Sequence, residues 1–148
     1  MPTVEPGRPI EILLVEDSPG DVRLAQEVFL ESKVINNLSV ARDGEEALAF
    51  LKKKGDFHNS PTPDIILLDL NLPRIDGREV LTEIKNDPKL MRIPVVVLTM
   101  SDAETDIVRS YNLRANCYIK KPLELNGFIE IIKAVENFWL SIVKLPDR

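Results

Sequence analysis

Ile65-Ile66-Leu67-Leu68-Asp69-Leu70-Asn71-Leu72-Pro73 decides how this chain folds. A short apolar run ends at an aspartate and a Pro-containing turn. So compact a run suits a parallel strand buried on both faces. Asp69 then stands at the carboxyl end of that strand, where open α/β sheets place their ligand sites.

The same grammar extends in both directions. Upstream, Glu11 to Val15 is a strand, through Ile12-Leu13-Leu14-Val15, and ends at Glu16-Asp17. Ser18 caps a helix with Pro19 at its first position and Asp21 in its first turn. Val22, Ala25, Val28 and Phe29 give that helix an apolar face. A second strand covers Leu38 to Ala41, and Asp43 caps the next helix with Glu46 three residues later. Ala47, Leu48 and Leu51 face inward. Residues 55 to 63, with Gly55, Pro61 and Pro63, read as the longest loop.

Downstream, a helix from about Asp76 to Lys85 carries Val80, Leu81 and Ile84. Val95 to Leu98 is the fourth strand, with Pro94 at its start. Ser101 and Glu104 form a capping box for a fourth helix, through Ile107 and Val108. Cys117 to Lys120 is a short fifth strand, and the last helix runs from about Leu123 to Val143. Five βα units in series predict an α/β fold: an open five-stranded parallel sheet, doubly wound, with helices on both faces. Residues 1–9 read as a flexible arm, 10–145 as one domain with an extended last helix, and 146–148 as a tail.

Bulk properties narrow the function. The 148 residues fit one domain, and 44% hydrophobic with 29% charged residues is globular composition. The net charge is −5 and no basic stripe stands out, which argues against nucleic-acid binding. Lys52-Lys53-Lys54 reads as the solvated end of a helix. A single cysteine, Cys117, allows no internal disulfide and suits a reducing cytoplasm. The N-terminus is not a signal peptide, and no apolar run approaches the ~18 residues that span a bilayer. These features point to a cytoplasmic protein.

The strand ends carry the chemistry. Glu16 and Asp17 follow the first strand and Asp69 ends the third, so the fold brings three carboxylates together. Their mutual repulsion favours a bound cation. Oxygen-only donors favour Mg²⁺, and the lack of histidine and cysteine there argues against zinc. Thr99 ends the fourth strand and Lys121 lies past the fifth, before Pro122. Lys121-Pro122 is also a candidate cis peptide. A hydroxyl and an ammonium beside a carboxylate–Mg²⁺ cluster make a site for a phosphoryl group, with Asp69 as nucleophile.

These motifs resemble the response-regulator receiver family over about Glu11 to Val143. They are Val15-Glu16-Asp17, Leu68 to Pro73 with Asp76-Gly77, Leu98-Thr99 and Lys121-Pro122. The resemblance implies the flavodoxin-like receiver fold and a phosphoacceptor charged by a histidine kinase. It implies that Asp17 and Asp69 ligate Mg²⁺ through side chains, Asn71 through its carbonyl, and Glu16 through metal-bound water. Thr99 would hydrogen-bond a phosphoryl oxygen, Lys121 would pair with it, and Tyr118 would be the rotating aromatic of the switch. Such a domain is no classical enzyme, although it assists its own phosphorylation and dephosphorylation. Asn116-Cys117-Tyr118 and Phe138-Trp139-Leu140 through Leu145-Pro146 further resemble the cyanobacterial phytochrome response regulators. That likeness implies a phytochrome-like histidine kinase as partner, with output through a downstream protein target.

Other readings fit less well. An aspartyl phosphohydrolase would carry a second acid where Asn71 stands. No GxGxxG turn or P-loop follows the first strand, which disfavours a nucleotide-binding enzyme. A degenerate receiver used only for docking would not keep the full acid, Thr and Lys set. His58 reads as a solvated loop residue, Cys117 as a small buried hydrophobe, and Asp76-Gly77 as helix-start chemistry. The last helix has two apolar stripes, one through Phe128, Ile132 and Trp139 and another through Ile131, Phe138 and Ile142. Either the tail folds back over the second stripe, or it serves a partner surface, such as a two-fold dimer through the fourth helix, fifth strand and fifth helix.

Overall fold

A computed structural model describes residues 8–32, 35–72, 74–99, 117–120, 133 and 137. Five strands form one sheet: β1 (Ile10–Val15), β2 (Asn36–Ala41), β3 (Ile65–Asp69), β4 (Val95–Thr99) and β5 (Cys117–Lys120). Their order is β2-β1-β3-β4-β5, and every pairing is parallel. Three helices are described, α1 (Pro19–Leu30), α2 (Gly44–Leu51) and α3 (Gly77–Asn86), with a short 3₁₀ turn at Gly55–Phe57. The doubly wound parallel sheet expected from the sequence is therefore observed. The fourth helix with its Ser101–Glu104 cap, the last helix with its two stripes, and the Lys121-Pro122 bond lie outside the described residues.

Strand alternation divides the core in two. Leu13, Val15, Ile66, Leu68, Val95 and Val97 face α2 and α3, against Ala47, Leu51, Val80, Leu81 and Ile84. Ile12, Leu14, Ile65, Leu67, Val96 and Leu98 face α1, against Val22, Ala25 and Phe29. β3 is buried along its whole length. Each such Ile or Leu contributes roughly 1.5–3 kcal/mol when fully buried, so the apolar runs fix the central strands.

Local signals set the helix starts. Ser18 Oγ accepts the Asp21 amide, with Pro19 opening α1. Asp43 Oδ1 accepts the Glu46 amide at 2.7 Å. With Asp43 fully extended (φ −153°, ψ 172°), the Glu46 carboxylate receives the Arg42 amide, one residue before the cap. Asp76 caps α3 through the Arg78 amide at 2.7 Å, so that helix begins at Gly77 rather than at Asp76.

Two segments depart from the sequence expectation. β2 begins at Asn36, two residues before Leu38, because its backbone pairs with Ile10 and Glu11 and its asparagines find partners. Asn36 Nδ2 donates to the Phe29 carbonyl, and Asn37 Nδ2 to Glu11 Oε2, both at 2.9 Å. At the same end of β1, Arg8 forks onto Asp64 at 3.0 and 3.2 Å, while Asp64 Oδ2 also accepts the Glu11 amide. The arm expected over residues 1–9 is thus tied down at Arg8, and residues 1–7 lie outside the description.

α2 ends in a Schellman turn. The Lys54 amide donates to the Ala49 carbonyl at 2.9 Å and the Lys53 amide to the Phe50 carbonyl at 3.3 Å. Lys53 occupies the left-handed position, φ 56°, that glycine fills without strain. Lys53→Gly is expected to stabilise the fold by about 1 kcal/mol. A urea midpoint that falls instead would show that the lysine side chain holds the turn.

Candidate functional site

β1 lies between β2 and β3, so the strand order reverses beside it. At this switch point the connections leave β1 and β3 toward opposite faces and open a crevice beyond their carboxyl ends. Glu16 and Asp17 leave β1 there, and Asp69 is the last residue of β3. One carboxylate oxygen from each of the three lies within 4.8 Å of the other two. Glu16 and Asp69 are each 1% exposed, whereas Asp17 faces solvent.

Backbone contacts hold these groups. The Glu16 amide donates to the Ala41 carbonyl at 2.9 Å, and Glu16 Oε2 accepts the Ser18 amide at 3.1 Å. Asp69 Oδ1 accepts the Asn71 amide at 2.9 Å, which folds the chain back beside the carboxylate. The Leu70 amide still pairs with the Leu98 carbonyl, at 3.1 Å, and the Gly77 amide returns to the Leu70 carbonyl at the same distance.

At this spacing two carboxylates repel by roughly 3 kcal/mol at an effective dielectric of about 20, with solvent reducing the share of Asp17. A divalent cation reverses the sign of that interaction. The donor set fits a hard cation: oxygen ligands only, two of them buried and one open to water.

The other expected site residues are placed unevenly. Thr99 is the last residue of β4, next to the strand that ends in Asp69 and paired with Lys120 of β5. Tyr118 lies in β5 opposite Val97. The Thr99 and Tyr118 side chains, and all of Lys121, fall outside the described residues. Three features of the site had no sequence signal that pointed to them. Gly44 and Gly77 have no room for a β-carbon, and Arg74 adopts φ 65° in the loop after Asp69.

The model of the response regulator receiver domain matches residues 12–133. This chain belongs to that family. It is therefore a phosphoacceptor module of two-component signalling, with the receiver fold. It is 52% identical to the response regulator Rcp1 of Synechocystis over 142 residues, covering 96% of this chain and 97% of Rcp1. It is also similar to the crystal structure of the phosphorylated cyanobacterial phytochrome response regulator RcpA. There the TM-score is 0.80 at 51% identity, over 95% of this receiver and all of RcpA. The Mn²⁺-bound form of Rcp1 matches with a TM-score of 0.79 at 53% identity, over 93% of this chain and 99% of that one. Among the described residues, no helix of the receiver is long and apolar enough to cross a membrane.

Proposed function

We propose that this receiver is a cytoplasmic single-domain response regulator that takes a phosphoryl group on Asp69 from a histidine kinase, with Mg²⁺ bound beside it. The observation that carries the reading is the cluster of Glu16, Asp17 and Asp69 at the switch point, two of its carboxylates almost wholly buried. Asp17 and Asp69 would hold the cation directly, Asn71 through its carbonyl, and Glu16 through bound water. When bound, the cation neutralises charge on the phosphoryl oxygens.

An Asp69 carboxylate oxygen attacks phosphorus as the bond to the kinase imidazole nitrogen breaks. The imidazole leaves with the electron pair and takes up a proton, and Asp69 becomes an acyl phosphate. Thr99 and Lys121 would receive the new phosphoryl oxygens in charge-assisted hydrogen bonds. Their movement, with rotation of Tyr118, would shift the receiver toward its active population. Hydrolysis of the acyl phosphate by the same site would reset it. The likeness to RcpA and Rcp1 supports a phytochrome-like kinase as donor. Output would pass through a protein target, with a two-fold dimer through the fourth helix, β5 and the last helix as one route.

Acetyl phosphate with Mg²⁺ should add one phosphoryl mass to the intact chain, and chelation by EDTA should suppress it. A chain that stays unmodified under both conditions would defeat the phosphoacceptor reading.

A further inference from the structure

The loop between Asp69 and α3 carries Asn71, and α2 grips it from the side. At Gly44, the first residue of α2, a β-carbon would collide with the Ile75 carbonyl oxygen, its side chain and Val80. The loop backbone therefore rests directly on the helix start. Arg74 precedes this contact with φ 65°, the left-handed region in which a β-carbon crowds the following carbonyl. Its side chain reaches back to the same helix start. Arg74 Nε lies 3.8 Å from Asp43 Oδ2, and its guanidinium lies 3.8 Å from Glu45 Oε2. Asp43 is also the α2 cap, through its other oxygen.

A non-glycine residue holds that conformation only where its surroundings over-determine it. Here they consist of the backbone contact at Gly44 and two ion pairs from one side chain. We infer that Arg74 is a positioning residue for the metal site: it clamps the 70–76 loop onto the N-terminus of α2 and so keeps Asn71 beside Asp69. The inference rests on the reading that Asp69, Asp17 and the Asn71 carbonyl hold a divalent cation. Only Leu72 and Pro73 separate Arg74 from Asn71. A loop released at Arg74 remains anchored at Asp69 and Gly77, but it spends part of its time with the Asn71 carbonyl turned away. Apparent metal affinity falls with the competent fraction.

The test uses the full chain and Mn²⁺ alone as probe, followed by electron paramagnetic resonance. Arg74→Ala keeps the β-carbon and removes the clamp, and should weaken Mn²⁺ binding by about three- to tenfold, the scale of two exposed ion pairs. Arg74→Lys should restore affinity only in part, because an ammonium supplies the charge but not the two nitrogens that reach Asp43 and Glu45 separately. Asp43→Asn preserves the helix cap and removes one partner. Combined with Arg74→Ala, it should weaken binding no further than Arg74→Ala alone. In the metal-free protein, Arg74→Ala should also speed amide exchange at Leu70 to Leu72 while leaving β1 unchanged, a readout that global destabilisation would not give. Normal Mn²⁺ binding by the unaltered chain, left unchanged by Arg74→Ala, would overturn the clamp alone. No Mn²⁺ binding by the unaltered chain would overturn the metal reading along with it.

Discussion

Asp69→Asn should abolish phosphoryl addition and, at the same time, make the metal-free protein more stable. The first effect follows because an amide oxygen is a poor nucleophile and cannot form an acyl phosphate. The second follows from the geometry. The side-chain oxygen of asparagine can still accept the Asn71 amide now held at 2.9 Å by Asp69 Oδ1. The negative charge disappears from a cluster in which one oxygen of each acid lies within 4.8 Å of the others. Relief of repulsion from Glu16 and the more solvated Asp17 should contribute about 1–3 kcal/mol. Mg²⁺ should then stabilise the variant less than the parent, because one charged ligand is gone. Intact mass after acetyl phosphate tests the first effect, and paired urea titrations in EDTA and in Mg²⁺ test the second. Persistent phosphoryl addition would move the acceptor away from Asp69. An unchanged or lower midpoint in EDTA would show that the cluster is not electrostatically strained.

The expected cost of clustered charge explains why the three acids that the structure brings together stood out in the sequence. Acids at the ends of apolar strands conflict with local burial, and such conflicts concentrate where function requires them. Glu16, Asp17 and Asp69 each interrupt a pattern that otherwise predicts its own structure. β1, β3 and β4 were legible for the converse reason, since runs that are apolar almost throughout admit few other placements. β2 was less so. Its first two residues are asparagines, poor strand formers by propensity, and backbone pairing with Ile10 and Glu11, supported by side-chain partners on Phe29 and Glu11, makes them part of the sheet. Phe50 is buried on α2 beside the expected Ala47 and Leu51, and its aromatic contact, Phe57 at 5.7 Å, comes from a 3₁₀ turn inside a segment that reads as loop. Arg74 had no signal at all. Nothing about an arginine announces a left-handed backbone, and its partners Asp43 and Glu45 are near it only once α2 has packed beside α3. Gly77 was legible as a helix start, but not as the point where two backbones meet.

That meeting of backbones predicts opposite outcomes for the same substitution in two helices. Gly20 lies in the first turn of α1 with nothing within 4 Å of an added β-carbon. Gly20→Ala should therefore stabilise the receiver by about 0.5–1 kcal/mol, the backbone entropy that glycine loses on entering a helix. Gly77 opens α3, where alanine has the same intrinsic advantage. Its β-carbon, however, would sit 2.5 Å from both the Asp69 carbonyl oxygen and Leu70 Cα, and 2.9 Å from the Leu70 carbonyl carbon. All three are backbone atoms, so no rotamer change can make room. Either α3 backs away, stretching the 3.1 Å bond from the Gly77 amide to the Leu70 carbonyl, or the end of β3 shifts with Asp69 on it. Overpacking of this kind costs about 1–3 kcal/mol, which outweighs the helix gain. Gly77→Ala should lower the urea midpoint while Gly20→Ala raises it. It should also slow phosphorylation by acetyl phosphate under conditions where the variant is still fully folded, because the displaced backbone is the one that aims Asp69. Parallel increases in stability for both variants would mean that α3 and the end of β3 do not meet this closely. A stability loss in Gly77→Ala without slower phosphorylation would place the adjustment in α3 and leave the strand end where it is.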